Sequence, residues 1–192
     1  MKVVTIEKAF LLTESEQAIL SKILRKSWQG LYVQGGKIVG THLTERGVYS
    51  ISSLIVLADE WLHLAAESGD FYNSVELFRI GIRTGQSVLA DMSSKITRPS
   101  YSELVECPND LNIRSFLGAS PKVTLLRTQV KIPDTANRKL PEILIDSGIL
   151  IEHSDETLLL YVDLSIPLNL CVTTSKIIID KYLSKIVNKI VL

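Results

Sequence analysis

The 192-residue chain contains only two cysteines, Cys107 and Cys171. Their spacing fits neither a metal-ligand motif nor a disulfide framework, which favours a reducing compartment. The chain also has no N-x-[ST] glycosylation acceptor, no secretory signal after its charged start, and no apolar run long enough to span a membrane. These absences predict a cytoplasmic protein.

An excess of one charge is also missing. Lysine plus arginine equals aspartate plus glutamate at 21 each, so the chain has no net electrostatic footprint of a nucleic-acid binder. Apolar residues make up 46% and charged residues 22%, which is typical of a folded protein. We therefore expect no nucleic-acid partner.

Catalytic and cofactor motifs are absent as well. The Gly-Gly-Lys run at 35–37 lacks the first glycine and the following Ser or Thr of a Walker A loop. His42, His63 and His153 are scattered and have no metal-ligand spacing. No G-x-S-x-G elbow frames a serine. The sequence predicts no metal, no cofactor and no enzyme activity.

The stretch from Asp70 to Ser94 has apolar residues at steps of three and four, which predicts a central helix with Asp70 as its N-cap. The stripe comprises Phe71, Val75, Phe78, Ile82, Gly85, Leu89 and Met92. Gly81 and Gly85 each cost a helix about 0.5–1 kcal/mol relative to Ala. We expect close packing of a second element on the backbone to offset this cost.

Two further helices are predicted before the central one. The first begins in segment 13–17, where Thr13 or Ser15 can cap it, has acidic residues in its first turn, and ends near Gly30. The second runs from Thr44 to about Ser68, and Gly69 ends it. Between the first two helices, the glycine-rich segment 31–43 predicts a loop or a short hairpin around Gly35-Gly36.

The second half of the chain changes period. Segments 122–132, 142–153 and 157–164 predict strands, with Ser147-Gly148 as a turn. A short helix is expected from about Pro108 to Gly118, and a last helix from Pro167 with Ser165 as its cap. This order predicts a single α+β domain over 1–192, with long antiparallel helices packed against a small antiparallel β-sheet. Its parts are an N-terminal helix and loop (1–43), a helical core (44–118), the sheet (119–165) and the C-terminal helix (166–192).

Three stretches resemble the Bet-type subunits of TRAPP, the vesicle-tethering complex, whose relatives include the prokaryotic V4R domains. Phe78-Arg79-Ile80-Gly81-Ile82-Arg83 resembles the family's glycine-bearing helix. The segment 116–124, FLGASPKVT, resembles the passage from a helix into the first strand. The segment 143–150, ILIDSGIL, resembles its strand–turn–strand.

The resemblance implies helices packed on a small antiparallel sheet, and a non-catalytic subunit that forms homo- or hetero-oligomers with related subunits. It further implies ER–Golgi transport, engagement of a Rab-type small GTPase through the complex, and at most peripheral membrane association. The family's acylated cysteine has no counterpart in segment 92–101. Two alternatives stay open: a V4R-like small-molecule or lipid sensor with an apolar pocket, and a regulator whose first helices form a helix-turn-helix.

Candidate site residues follow from these patterns. Ile19, Ile23 and Trp28 on the first helix are predicted to contribute to a partner interface, with burial of Trp28 in the protein's own core as the alternative. Gly81 and Gly85 are predicted to allow close packing of the central helix. The sensor alternative would place Phe78, Ile82 and Leu89 along an apolar pocket.

Overall fold

The protein was analysed as a computed structural model. It describes residues 6–28, 30–34, 48–51, 53–58, 60–72, 75–85, 104–106, 116, 118–131, 142–164 and 169–192. The strands are β1 Ile6–Phe10, β2 Gly30–Gln34, β3 Val48–Ile51, β4 Ser53–Leu57, β5 Trp61–Tyr72, β6 Val75–Gly85, β7 Leu104–Glu106, β8 Lys122–Lys131, β9 Glu142–His153, β10 Glu156–Val162, β11 Leu170–Thr173 and β12 Ile186–Val191. The helices are α1 Glu14–Leu24 and α2 Lys176–Leu183.

The strands form two sheets. The first sheet has the order β12-β8-β9-β10-β11-β3, and β1 pairs in parallel with β9. The second sheet is antiparallel, with the order β6-β5-β4-β2-β7. The prediction of long helices packed on a small sheet is therefore wrong, because strands dominate the described residues and both helices are short.

The core lies between the two sheets. Alternate residues of β4, β5 and β6 and alternate residues of β8, β9 and β10 belong to one buried apolar cluster. Leu20, Ile23 and Leu24 of α1 join the same cluster, together with Trp28 and Phe116. The helix α2 instead packs against a second cluster, in which Ile179 meets Leu126, Leu150 and Leu159 of the first sheet.

The first predicted helix is confirmed as α1. Thr13 caps it, because its hydroxyl accepts from the Glu16 N–H at 3.2 Å while the Glu16 carboxylate accepts from the Thr13 N–H at 2.7 Å. The helix ends at Leu24 rather than near Gly30.

The structure contradicts the predicted central helix and the predicted helix before it. Segment 44–68 contains β3, β4 and most of β5, and the described part of segment 70–94 contains the end of β5 and all of β6. The residues Phe78, Ile80 and Ile82 alternate with Arg79, Gly81 and Arg83. This period of two competes with the helical steps, and cross-strand pairing with β5 decides in its favour. Leu89 and Met92 lie outside the described residues.

The three predicted strands of the second half are confirmed as β8, β9 and β10. The turn predicted at Ser147-Gly148 is wrong, because both residues lie inside β9. Leu126 pairs with Gly148 and Arg127 with Asp146, so Ser147 is the extra residue of a β-bulge. Small residues are common at bulges as well as at turns.

The prediction of a long C-terminal helix is also wrong. The chain forms β11, the short helix α2 and β12 over this region, and the predicted start at 165–168 lies outside the described residues. The hairpin predicted around Gly35-Gly36 and most of the helix expected from Pro108 lie outside them too. Neither helix of the described residues has the length and apolar character needed to cross a membrane.

Candidate functional site

An open groove lies where β1, β5, β6 and β9 meet. Its volume is about 390 Å³. Apolar walls are supplied by four side chains, while a carboxylate, a hydroxyl and a guanidinium supply the polar part. The lining residues are Ala9, Phe10, Glu67, Ser68, Gly69, Leu77, Arg79 and Ile143.

Packing of β1 onto the β5–β6 hairpin shapes this groove. The Phe10 ring lies directly on Gly69, where an added Cβ would come within 2.5 Å of the ring. Leu77 and Ile143 also line the groove, and they form a buried cluster with Ile145 of β9. Phe10 and Val130 pack against this cluster. The apolar walls are therefore part of a small core of their own.

Arg79 is the polar centre of the site. Its Nη1 donates to the Leu11 carbonyl at 2.6 Å, and its Nη2 donates to Glu16 and to Glu67, both at 3.0 Å. The guanidinium carbon also lies 5.0 Å from the centre of the Phe10 ring, a cation–π distance. Arg79 thus ties β1, α1 and β5 together, and its donors are used by these contacts.

The carboxylate of Glu16 is held charged at this centre. Burial alone would raise its pKa, but hydrogen bonds from Thr13 and the charge of Arg79 outweigh that effect and lower the pKa. The same carboxylate therefore caps α1 and pairs with Arg79.

A buried carboxylate fixes the connection between β1 and α1. Asp146, which is fully buried, accepts from the Leu12 N–H at 2.7 Å and from Nε of Arg127, also at 2.7 Å. Because Leu12 follows directly on Leu11, this contact also holds the carbonyl that Arg79 binds. Asp146 directly precedes Ser147, the bulge residue of β9.

Tyr182 reaches the same bulge from α2. Its hydroxyl donates to Ser147 at 2.8 Å, and Ser147 also shares a hydrogen bond of 2.6 Å with Thr128. A Cβ at Gly148 would lie 3.1 Å from the Tyr182 ring, so glycine makes room for it. Burial raises the pKa of Tyr182 to about 12, which keeps it protonated as a donor.

The groove suits an apolar group that carries a positive charge. Glu67 lines the groove and shares the single charge of Arg79 with Glu16, which lies outside the lining, and the Glu67 side chain is 46% exposed. Glu76 adds a third carboxylate next to the site through its hydrogen bond with Ser68. Among the described residues, no cluster of three or more His, Cys, Asp or Glu side chains has the arrangement of a metal site.

Two of the three predicted interface residues are buried in the protein's own core, and the third is partly buried. Ile23 is 1% exposed and Trp28 2% exposed, and the Trp28 ring stacks on Phe116 at 5.7 Å. Ile19 is partly buried against the same core. The alternative for Trp28, burial in the protein's own core, is therefore what the structure shows.

Close packing at Gly81 occurs, although in a strand rather than a helix. A Cβ on Gly81 would lie 2.8 Å from the Cβ of Glu67 on the neighbouring strand. Gly85 ends β6 opposite Trp61. Of the predicted pocket residues, Phe78 belongs to the central core, Ile82 packs against it, and Leu89 lies outside the described residues.

Sequence reasoning missed Phe10, Glu67 and Arg79 as a group, since they lie on three strands that only the tertiary fold brings together. One signal was available: Arg79 interrupts the otherwise apolar run from Leu77 to Ile80. Comparisons of the chain with protein-family models, curated proteins and solved structures return no match.

Proposed function

We propose that this chain is a non-catalytic binding module that acts by association with a protein partner. The groove between β1, β5, β6 and β9 is where an extended segment of that partner enters. The observation that supports this proposal is an open groove in which four apolar side chains lie beside the half-exposed carboxylate of Glu67. Apolar walls give affinity and a few placed polar groups give specificity.

The partner segment is one that carries a basic side chain next to an apolar one. Its positive charge would meet Glu67 and Glu76, and its apolar side chain would contact Phe10 and Leu77. Within the described part of the chain, β6 pairs only with β5 and β1 only with β9. An extended segment could therefore also hydrogen-bond to a strand edge beside the groove.

The TRAPP-like resemblance also implied a role in assembly, and this part of the expectation does not depend on a helix. Phe78 to Arg83, which carries the resemblance, is a strand, and 143–150 is a single bulged strand rather than strand–turn–strand. Membership of a vesicle-tethering complex, contact with a Rab-type GTPase and a peripheral place at ER or Golgi membranes stay predictions. The helix-turn-helix alternative is not proposed, since the described segment after α1 is the strand β2.

The test is selection of random seven-residue peptides displayed on phage against the full chain. We expect enrichment of peptides with adjacent basic and apolar residues. Glu67→Gln should weaken the selected peptides at least about tenfold, the cost of losing one charge-assisted contact. Glu152→Gln is the matched control, because Glu152 forms an exposed ion pair with Lys122 elsewhere. Failure to enrich any such peptide, or equal binding by Glu67→Gln, contradicts the proposal.

Light scattering on the purified chain then separates the two kinds of partner. A dimer that Glu67→Gln dissociates would identify a second copy of the chain as the occupant of the groove. A monomer that binds the selected peptides would identify a different protein.

A further inference from the structure

The strand β12 forms one edge of the first sheet. Among the described residues it pairs with β8 and with no other strand. Four of its six residues are exposed, and two of these are large and apolar: Val187 is 53% exposed and Val191 is 61% exposed. An edge strand carries unpaired backbone groups on its outer side, and a further strand can pair with them.

The ladder with β8 shows which backbone groups of β12 point outwards. The Leu192 N–H donates to the Val123 carbonyl at 3.0 Å. From this position the pairing continues in register back to Asn188. In an antiparallel pair, hydrogen-bonded positions alternate with positions whose N–H and C=O groups face away from the partner strand. The backbone groups of Lys189 and Val191 therefore face away from β8.

The side chains at this edge combine apolar surface with positive charge. Ile190 and Leu192 pack against the core between the sheets. Side chains alternate along a strand, so those of Lys189 and Val191 leave the outer face. The segment 176–192, which contains α2 and β12, has four lysines and one acidic residue. The four lysines are all exposed, and they are Lys176, Lys181, Lys185 and Lys189.

These charges argue against a second copy of the chain as the occupant of this edge. Pairing of two β12 strands would bring Lys185 and Lys189 of both copies to one edge, and like charges across paired strands are destabilising. Lysine on an edge strand is also a common protection against pairing between like edges. An acidic partner meets no such repulsion.

A lipid surface fits the lysines but not the strand edge. Hydrocarbon neither donates nor accepts hydrogen bonds, so the outward N–H and C=O groups of Lys189 and Val191 would lose their water without gaining partners. An extended peptide satisfies the same groups with its own backbone. The edge therefore favours a peptide over a membrane.

We propose that the edge of β12 binds an extended segment of a partner protein in which acidic and apolar residues alternate. The segment adds a strand to the first sheet and hydrogen-bonds to the backbone of Lys189 and Val191. Its carboxylates lie on the outer face beside the lysines, and its apolar side chains lie on the other face beside Ile190. The added strand also covers part of the exposed Val191 side chain.

This edge is separate from the groove of the proposed function. The groove is formed by β1, β5, β6 and β9, whereas β12 lies two strands away from β9 in the first sheet. The groove favours a basic segment and this edge favours an acidic one. The two proposals are therefore tested with peptides of opposite charge, and one can fail while the other stands.

The experiment measures fluorescence anisotropy of a short fluorescein-labelled peptide in which Val and Glu alternate, titrated with the full chain. One control peptide has Lys in place of Glu. A second control peptide carries an N-methyl group on the backbone nitrogen of every Glu, which removes the donors that would face β12. We expect saturable binding of the acidic peptide and at least about tenfold weaker binding of both controls. Equal binding by either control peptide would overturn the proposal.

Two variants of the chain test the charge and the backbone of this edge. Lys189→Glu changes an exposed side chain, so the variant should fold, and we expect its affinity for the acidic peptide to fall at least about tenfold. Arg25→Glu is the matched control, with the same change of charge at an exposed position at the end of α1, and should bind like the wild type. Val191→Pro removes an outward N–H without removing a hydrogen bond to β8, and it should weaken binding as well.

Circular dichroism checks that Val191→Pro is folded, and Lys189→Glu decides the result if it is not. Unchanged binding of the acidic peptide by Lys189→Glu would contradict the proposal. Sedimentation with vesicles of phosphatidylserine and phosphatidylcholine, lost in Lys189→Glu and without any binding of the peptide, would instead identify a lipid surface. A dimer in light scattering that Val191→Pro dissociates would identify a second copy of the chain, and this too would overturn the proposal.

Discussion

At the scale of single residues, Gly81 is a position in β6 where a side chain has no room. A Cβ at Gly81 would overlap the Cβ of Glu67, at 2.8 Å. We expect Gly81→Ala to lower the free energy of unfolding by about 1–3 kcal/mol, through overpacking between paired strands. Chemical denaturation measures it.

The control for this prediction is a double-mutant cycle with Glu67→Gly, which removes the atom that Gly81→Ala would meet. The cost of Gly81→Ala should be smaller in the Glu67→Gly background. An equal cost in both backgrounds would show that the close approach does not limit this position.

His63 supplies a residue-scale prediction on pH. Its pKa in the folded state is lowered, mainly by burial and then by Arg83. The unfolded chain therefore binds a proton more readily at this position, and stability is lost as pH falls below about 6.5, the ordinary histidine value. We expect His63→Gln to flatten the loss of stability between pH 7 and pH 5.

The measurement is urea denaturation at a series of pH values. His153→Gln is the comparison variant, since His153 ends β9 in the other sheet. Identical pH profiles for the wild type and His63→Gln would refute the prediction that protonation of His63 causes this loss of stability.

At the scale of elements, Asp146 joins β8 and β9 to the segment between β1 and α1. Asp146→Ala would leave the Leu12 N–H and the mostly buried guanidinium of Arg127 without their acceptor. We expect a loss of about 3–5 kcal/mol, the usual cost of removing one partner of a buried charge pair.

Glu152→Ala provides the contrast within the same strand. It breaks an exposed ion pair with Lys122, where both side chains are more than a third exposed. Such pairs contribute about 1 kcal/mol or less. If thermal denaturation shows similar costs for the two variants, Asp146 does not hold the elements together.

At the scale of the whole molecule, the two-sheet core includes apolar residues of α1 and the Trp28 ring stacked on Phe116. We expect Trp28→Ala to cost about 3–5 kcal/mol of folding free energy, because it removes a large buried ring. Denaturation followed by circular dichroism measures the loss. Light scattering on the same variant should show an unchanged oligomeric state under native conditions. Dissociation of an oligomer without loss of stability would restore the interface role predicted for Trp28.

The sequence by itself determined the local structure where short-range chemistry is decisive. The Thr13 and Glu16 side chains satisfy the free N–H groups of one turn, so α1 could be predicted from a few neighbouring residues. In β8, β9 and β10, β-branched and apolar runs agree with strand pairing, so propensity and tertiary structure give the same answer.

Only the tertiary structure decided the central part and the candidate sites. The apolar residues of 44–85 fit helical steps and strand alternation alike, and partners distant in sequence settle the choice by pairing each strand. Ser147 and Gly148 suit a turn or a bulge, and Tyr182 and Arg127, outside that local segment, are the residues that use the bulge. The groove joins Phe10, Glu67 and Arg79 because backbone hydrogen bonding and burial bring three strands together. No local pattern contains that information.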